Sequence, residues 1–315
     1  MHGLDLRDWL LVDPATYGLH VGERERALDT PGRREEVLQA SDPETLRVQE
    51  EVLHLISDHL LTRFPQHFQR HSATSIGVSV GGYERLVDAA DFASPLEAAA
   101  RLVQEDLVLM RHDAEQHPEE YRIAAAAVAF SFDNLPQRVQ QRHSMAQLHT
   151  KVGNYASDLH KLVSRALAAL KVSSPMWRSN WSFTFTGSMA PHPDDYVTDL
   201  EKRARFFPDA PVTEWDGPDG LVRRIDAQGA GAVVFVKVEY QTLRRLPCHD
   251  DYVLFAVRAH LTPLHQLKAQ PRAAALLADN VRGAVQLDFR HYKGLGDARI
   301  ADRVIAYLDE CASPG

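Results

Sequence analysis

An α+β fold with a mostly antiparallel sheet is what the sequence predicts, on three observations. A helical pattern fills residues 41–64, strand-like runs cluster at 106–130 and 232–259, and helical periodicity returns at 152–170 and near the C-terminal end. Strands and helices grouped in this way, without regular βαβ alternation, favour a sheet with helices packed beside it. The chain has 315 residues, of which 44% are hydrophobic and 25% charged. That balance excludes disorder, collagen-like repeats and a coiled-coil rod.

The elements follow in order. The first forty residues mix turn formers and charges and read as an irregular arm. Asp42 and Pro43 then open a helix, a capping residue followed by proline in the first turn. Its apolar face is Leu46, Val52, Leu53, Ile56 and Leu60. Ser94-Pro95 starts a shorter helix carrying Leu96, Ala99, Ala100 and Val103. Strands are expected at Asp106–Met110 and Arg122–Phe130. In the helix from Val152 to Leu170, Ala156, His160, Val163 and Leu167 share one stripe. Trp177–Thr186 alternates as a strand with Trp181, Phe183 and Phe185 on one side. Residues 187–229, rich in Pro, Asp and Gly, read as an insertion or long loop. Strands at Ala232–Tyr240 and Asp251–Ala259 flank a turn at Arg244-Arg245-Leu246-Pro247. Helices close the chain at Leu264–Asn280 and Asp297–Cys311, with a turn at Tyr292–Gly296 before the last. Three segments are expected: 1–70, an arm and helix; 71–262, the main domain; and 263–315, helices packed on it.

Several function classes drop out. The net charge of −8 disfavours general polyanion binding. Cys248 and Cys311 fit no paired metal or redox spacing and suggest a reducing compartment, hence a cytoplasmic protein. The opening MHGLDLRDWLLVD lacks the features of a signal peptide, and no apolar run approaches the length of a membrane span. GxGxxG, GxxxxGK[ST], GxSxG, HExxH and CxxCH are all absent. The cluster from Gly77 to Gly82 matches no phosphate-binding pattern, and His192, Asp194 and Asp195 in a Pro-rich stretch read as a solvated turn.

One set of segments is distinctive. It comprises Lys237, Glu239 and residues 241–247 (QTLRRLP), then Leu254–Arg258. Val103–Met110 lies upstream, and Lys151, Gly153, Leu159, His160, Arg178, Asn180 and Trp181 fall between. In order and spacing these resemble the haem-dependent oxidative N-demethylase α-subunit family. Trp9–Asp13 with Tyr17, and Tyr292–Leu295, extend the likeness to both ends. The resemblance implies a PAS-like fold, a curved antiparallel sheet with flanking helices enclosing a b-type haem. It implies a monooxygenase that oxidises a small amine or guanidine with dioxygen. Electrons would come from a separate flavin and iron–sulfur reductase, with no nucleic acid or membrane partner.

Carried onto this chain, the resemblance makes His160 the axial ligand; periodicity alone makes it a core histidine, and His149 and then His143 compete with it. Glu239 sits in an apolar strand and would hold a cationic nitrogen or take its proton; otherwise it pairs with Lys237 or Arg258. Gln241 and Thr242 would donate to oxygen, substrate or cofactor, or serve as ladder residues. Arg244, Arg245 or Arg258 would face the iron, with Arg244 or Arg258 assigned to polarise activated oxygen or clamp a propionate; otherwise Arg244 and Arg245 are solvated turn residues. Lys151, Arg178 and Asn180 are expected at the cofactor's propionates, or at the surface and at a helix-to-strand connection.

Departures mark the substrate side. The family's Arg after the pocket glutamate is Tyr240 here, and its His-Ala-Pro-Val-Pro stretch begins at His160 but reads HKLVS. Its Trp-containing segment is residues 131–136 without Trp. Dimethylamine itself is therefore not the expected substrate. N-demethylation and N-hydroxylation share their early steps and stay open. A haem-based gas or redox sensor is the alternative from another class, disfavoured by a glutamate in the pocket and by the lack of an appended signalling segment.

Overall fold

The computed structural model describes residues 1–112, 120–130, 134–150, 159–186, 213–287 and 290–313. Within them the architecture is α+β with antiparallel sheets and flanking helices. Two compact units emerge. Unit 1 comprises 1–150, 154–179 and 240–259; unit 2 comprises 151–153, 180–239 and 260–315. The first 70 residues thus lie wholly in unit 1.

Unit 1 begins with β1 (His2–Gly3), α1 (Tyr17–Asp29), α2 (Arg33–Val37), β2 (Leu38–Gln39) and α3 (Leu46–Arg63). Helix α1 overturns the expected irregular arm. Its inner face carries Tyr17, Val21 and Leu28, but also His20, Arg24 and Glu25, all buried. Those polar residues hide the apolar stripe, and each is paired inside. Arg24 donates to the carbonyls of Ala100, Val103 and Gln104 and pairs with Asp106 at 3.3 Å. Asp106 also accepts from the amides of Ala129 (2.9 Å) and Phe130 (3.0 Å). A buried charge is tolerable only with this degree of satisfaction.

Helix α3 forms as its apolar spacing predicts, capped by Asp42 through a one-turn 3₁₀ segment at Pro43–Thr45. Val48, Val52, Ile56 and Leu60, four apart, are buried. Complete burial of each such side chain contributes about 1.5–3 kcal/mol. Leu46, expected on this face, is instead exposed, because it lies about 120° around the helix from Val52 while Thr45, Val48 and Gln49 are buried. A small sheet follows in the order β3 (Phe68–Arg70), β4 (Ser75–Val80), β5 (Tyr83–Asp88). This sheet is not among the expected strands, although Ile76, Val78 and Val80 alternate with Ser75, Gly77 and Ser79 along β4. Gly81 and Gly82, both at positive φ, form the β4–β5 turn; a Cβ on Gly81 would collide with the Pro14 carbonyl oxygen at 1.9 Å. Helix α4 (Pro95–Ala100), capped by Ser94, precedes the paired strands β6 (Asp106–His112) and β7 (Tyr121–Ala127). Then come α5 (Leu135–Gln140), α6 (Met145–Leu148) and α7 (His160–Ala169).

The larger sheet also contains β8 (Met176–Thr184), β9 (Phe235–Arg245) and β10 (Tyr252–Pro263), in the order β1-β8-β9-β10-β6-β7-β2. Strand β10 runs antiparallel to β6, with Leu254 opposite Leu109 and Ala256 opposite Leu107. β9 and β10 are joined by a turn closed from the Leu246 amide to the Tyr252 carbonyl at 3.1 Å. Arg244 and Arg245 therefore lie in the strand and not in the turn. Alternating strand faces give each a separate buried partner, which composition could not show.

Unit 2 has its own core of Phe183, Phe185, Leu221, Ile225, Val233, Val281, Ile300, Val304 and Leu308. Its helices are α8 (Gly217–Gln228), α9 (Ala230–Val233), α10 (Pro271–Gln286) and α11 (Ala298–Ala312). Helix α8 corrects the expected loop over 187–229: Pro218 at its first turn begins it, and Leu221, Val222 and Ile225 bury one face. Residues 187–212, with His192, Asp194 and Asp195, lie outside the described residues. Among the described residues no helix is long and apolar enough to cross a membrane.

Candidate functional site

The predicted site residues divide first by unit and then, in unit 1, by strand face. Side chains alternate along β9, so Gln241 and Arg245 point one way and Thr242 and Arg244 the other.

The Gln241 face carries the candidate ligand helix. His160 opens α7 and shares a stripe with Val163, Leu167 and Leu170, which are buried. His160 is itself half-buried, with Nδ1 shielded from solvent. Ala156, the other expected member of that stripe, lies outside the described residues, as does Lys151. From β8, Arg178 donates Nε–H to Gln241 Oε1 at 2.5 Å. This bond orients the Gln241 amide, and Gln241 is only 5% exposed. Arg245 reaches the C-terminal end of α7, donating to the carbonyls of Leu167 at 2.6 Å and Leu170 at 2.7 Å.

His149, ranked second as a ligand from sequence, follows α6. Its Nδ1 is 2.7 Å from the Met145 carbonyl, so that nitrogen carries the proton and Nε2 has the lone pair. Burial, aided by the charges of Arg178 and Arg138, holds its pKa below the ordinary value, which keeps the ring neutral near pH 7. His143, more exposed, contacts Gln141 Oε1 at 2.8 Å.

The opposite face is closed by the N-terminal segment. Arg244 lies over the Trp9 ring, 4.3 Å from its centroid, and burial lowers its guanidinium pKa. Thr242 is buried on this face. Arg258 on β10 forms a buried ion pair with Glu105 at 2.6 Å and donates to the Leu11 carbonyl. Tyr240, in place of the family's arginine, stacks on Trp177 with centroids 5.5 Å apart. Sequence reasoning groups Arg244 and Arg258 with Glu239. No signal short of the strand register could separate them.

In unit 2, Lys237 and Glu239 lie two residues apart on one strand face, Nζ to Oε1 at 3.4 Å. Asn180 donates to the Tyr292 hydroxyl and accepts from Lys293 Nζ, each at 3.0 Å. Lys293 also donates to the Trp181 carbonyl at 2.9 Å and lies over that indole. The turn they hold needs Gly294, at φ +79°, because a Cβ there would meet the Phe183 carbonyl oxygen at 2.4 Å. Asn180 thus anchors the 292–296 turn to β8.

Among the described residues no group of His, Cys, Asp and Glu side chains gathers as a metal cage. The donor set of unit 1 instead suits a metal that arrives inside a macrocycle. One imidazole sits on an apolar helix stripe, and Arg178 has, among the described residues, spent only its Nε–H. The family model described as haem-dependent oxidative N-demethylase, alpha subunit-like, matches residues 1–302, and the chain belongs to that family.

Proposed function

We propose that this protein binds a b-type haem against a PAS-like curved sheet and oxidises a small amine or guanidine. The placement of His160 on the buried stripe of α7, in a chain of this family, carries the reading. Bound haem would supply activation of dioxygen with electrons from outside the chain. The words alpha subunit in the family description support a separate reductase as their source. The reading places the protein in the cytoplasm.

In this reading His160 would hold the haem iron, and the apolar stripe of Val163, Leu167 and Leu170 would carry the helix that presents it. Arg178 and Lys151 would hold its propionates by charge-assisted hydrogen bonds. Glu239 holds the cationic nitrogen of the substrate, which exchanges with the Lys237 ammonium now 3.4 Å away. As the substrate is oxidised, the same carboxylate accepts its proton. Gln241, set by Arg178, orients the substrate by hydrogen bonding. Thr242, Arg244 and Arg258 act from the other side of the sheet by holding it to the N-terminal segment.

The test is the absorption spectrum of the haem-reconstituted protein, oxidised and then reduced under carbon monoxide. A Soret band that shifts with carbon monoxide, is lost in His160→Ala and responds to added amines is expected. Glu239→Gln should abolish the amine response at unchanged haem content. A featureless spectrum, or one that His160→Ala leaves untouched, overturns the ligand assignment.

A further inference from the structure

Arg245 has no place in the chemistry proposed above, yet it makes four hydrogen bonds at the C-terminal end of α7 and beside it. Besides the Leu167 and Leu170 carbonyls, it donates to the Tyr121 hydroxyl at 2.9 Å and to the Asp250 carbonyl. One guanidinium thus joins α7, β7 and the β9–β10 turn to its own strand. The last carbonyls of a helix lack the usual i+4 partners, that of Leu167 having only the Leu170 amide at 3.2 Å, and the helix dipole makes that end favour a cation. Leu167 and Leu170 are themselves almost fully buried, so water does not take over this role. Among the described residues, every side-chain hydrogen bond between the last turn of α7 and the sheet comes from Arg245.

The geometry points to Arg245 as a positioning residue: a charged cap that fixes the axial and rotational setting of α7, and through it His160. The two residues are linked by a short rigid lever. Leu167 is seven residues beyond His160, about two turns and ~10 Å along the axis. A shift at the capped end is therefore carried to the imidazole, because a helix transmits displacement along its axis with little loss. Lysine would keep the charge but not the planar fork that engages several acceptors at once. This inference rests on the haem reading for its functional consequence and on the hydrogen bonds alone for its structural one.

Hydrogen–deuterium exchange and the ferric absorption spectrum, measured together on wild type and Arg245→Lys, test it. The variant should exchange the amides of residues 163–169 about tenfold faster while those of α3 stay unchanged. Its reconstituted haem should show a shifted or mixed ligation spectrum. In a His160→Gly background supplied with free imidazole, adding Arg245→Lys should leave the spectrum unchanged, since the ligand no longer hangs from the helix. Arg245→Gln, which keeps two donors without charge, serves if the lysine variant fails to fold. Unchanged exchange in α7 overturns the inference outright. Faster exchange with an unchanged spectrum reduces Arg245 to a stabilising contact and also overturns it. A wild-type chain that takes up no haem sinks the function proposed above, and the exchange result still decides whether Arg245 holds the helix.

Discussion

Arg244 and Arg245 are chemically identical neighbours, and the two faces of β9 put them to opposite uses. On the Arg244 face the guanidinium stacks on Trp9, and the neighbouring Arg258 is neutralised by Glu105. On the Arg245 face the guanidinium holds backbone carbonyls of α7, and Arg178 orients Gln241. Each face also has a histidine kept neutral. His59, 2.9 Å from the Leu10 carbonyl, sits on the Trp9 side, and His149 lies near Arg178. On the first face the guanidinium groups meet an indole and a carboxylate; on the second they meet a helix end and a side-chain amide. An arginine's role in this sheet is set by parity, and charge alone says nothing about which role it takes.

The comparison can be broken most sharply at Arg258. Replacing it with Ala leaves Glu105 buried and unpaired, and equilibrium urea unfolding should show a loss of about 3–5 kcal/mol. Arg258→Met with Glu105→Leu should recover most of it, since an apolar pair avoids the desolvation cost. A loss of under about 1 kcal/mol for the single variant would mean that the first face is not sealed by this pair.

Arg244→Ala should cost less, about 1–2 kcal/mol, from the lost stacking on Trp9 and the buried stem. Haem uptake by this variant should match wild type. If haem affinity falls while stability is preserved, Arg244 belongs with the cofactor and the division of the two faces is wrong.

The smallest effect is a pH dependence. The folded pKa values of His59 and His149 lie below the ordinary 6.5, with burial the leading cause for both. The unfolded chain therefore binds more protons as the pH falls below about 6.5. Stability is full above that value and declines beneath it, by at most about 1.4 kcal/mol per pH unit for each proton. His59→Gln and His149→Gln should each flatten the decline below about pH 6.5. Should only one of them do so, that residue's face is the one that opens first in acid.

Legibility varies with the kind of signal. Helix α3, the pair β6 and β7, the stripe of α7 and both C-terminal helices follow from period and capping, and all are present. Helix α1 escapes notice because three of its buried residues are polar. Charge inside a helix face looks like solvent exposure until its partners are known. Strand β3 has only three residues, whereas β4 does alternate Ile76, Val78 and Val80 with Ser75, Gly77 and Ser79, a period hidden beside the glycine cluster.

For the site, sequence alone determined the residue types: one histidine on an apolar stripe, a glutamate in a strand, and the QTLRRLP run with its family likeness. Those features are local, and they follow from side-chain chemistry and the helical and strand periods. Only the tertiary structure decided which partners the charges take, because ion pairs such as Arg24 with Asp106 and Arg258 with Glu105 join residues distant along the chain. It also separated Arg244 from Arg245, since the point where a strand begins sets the direction of every side chain after it.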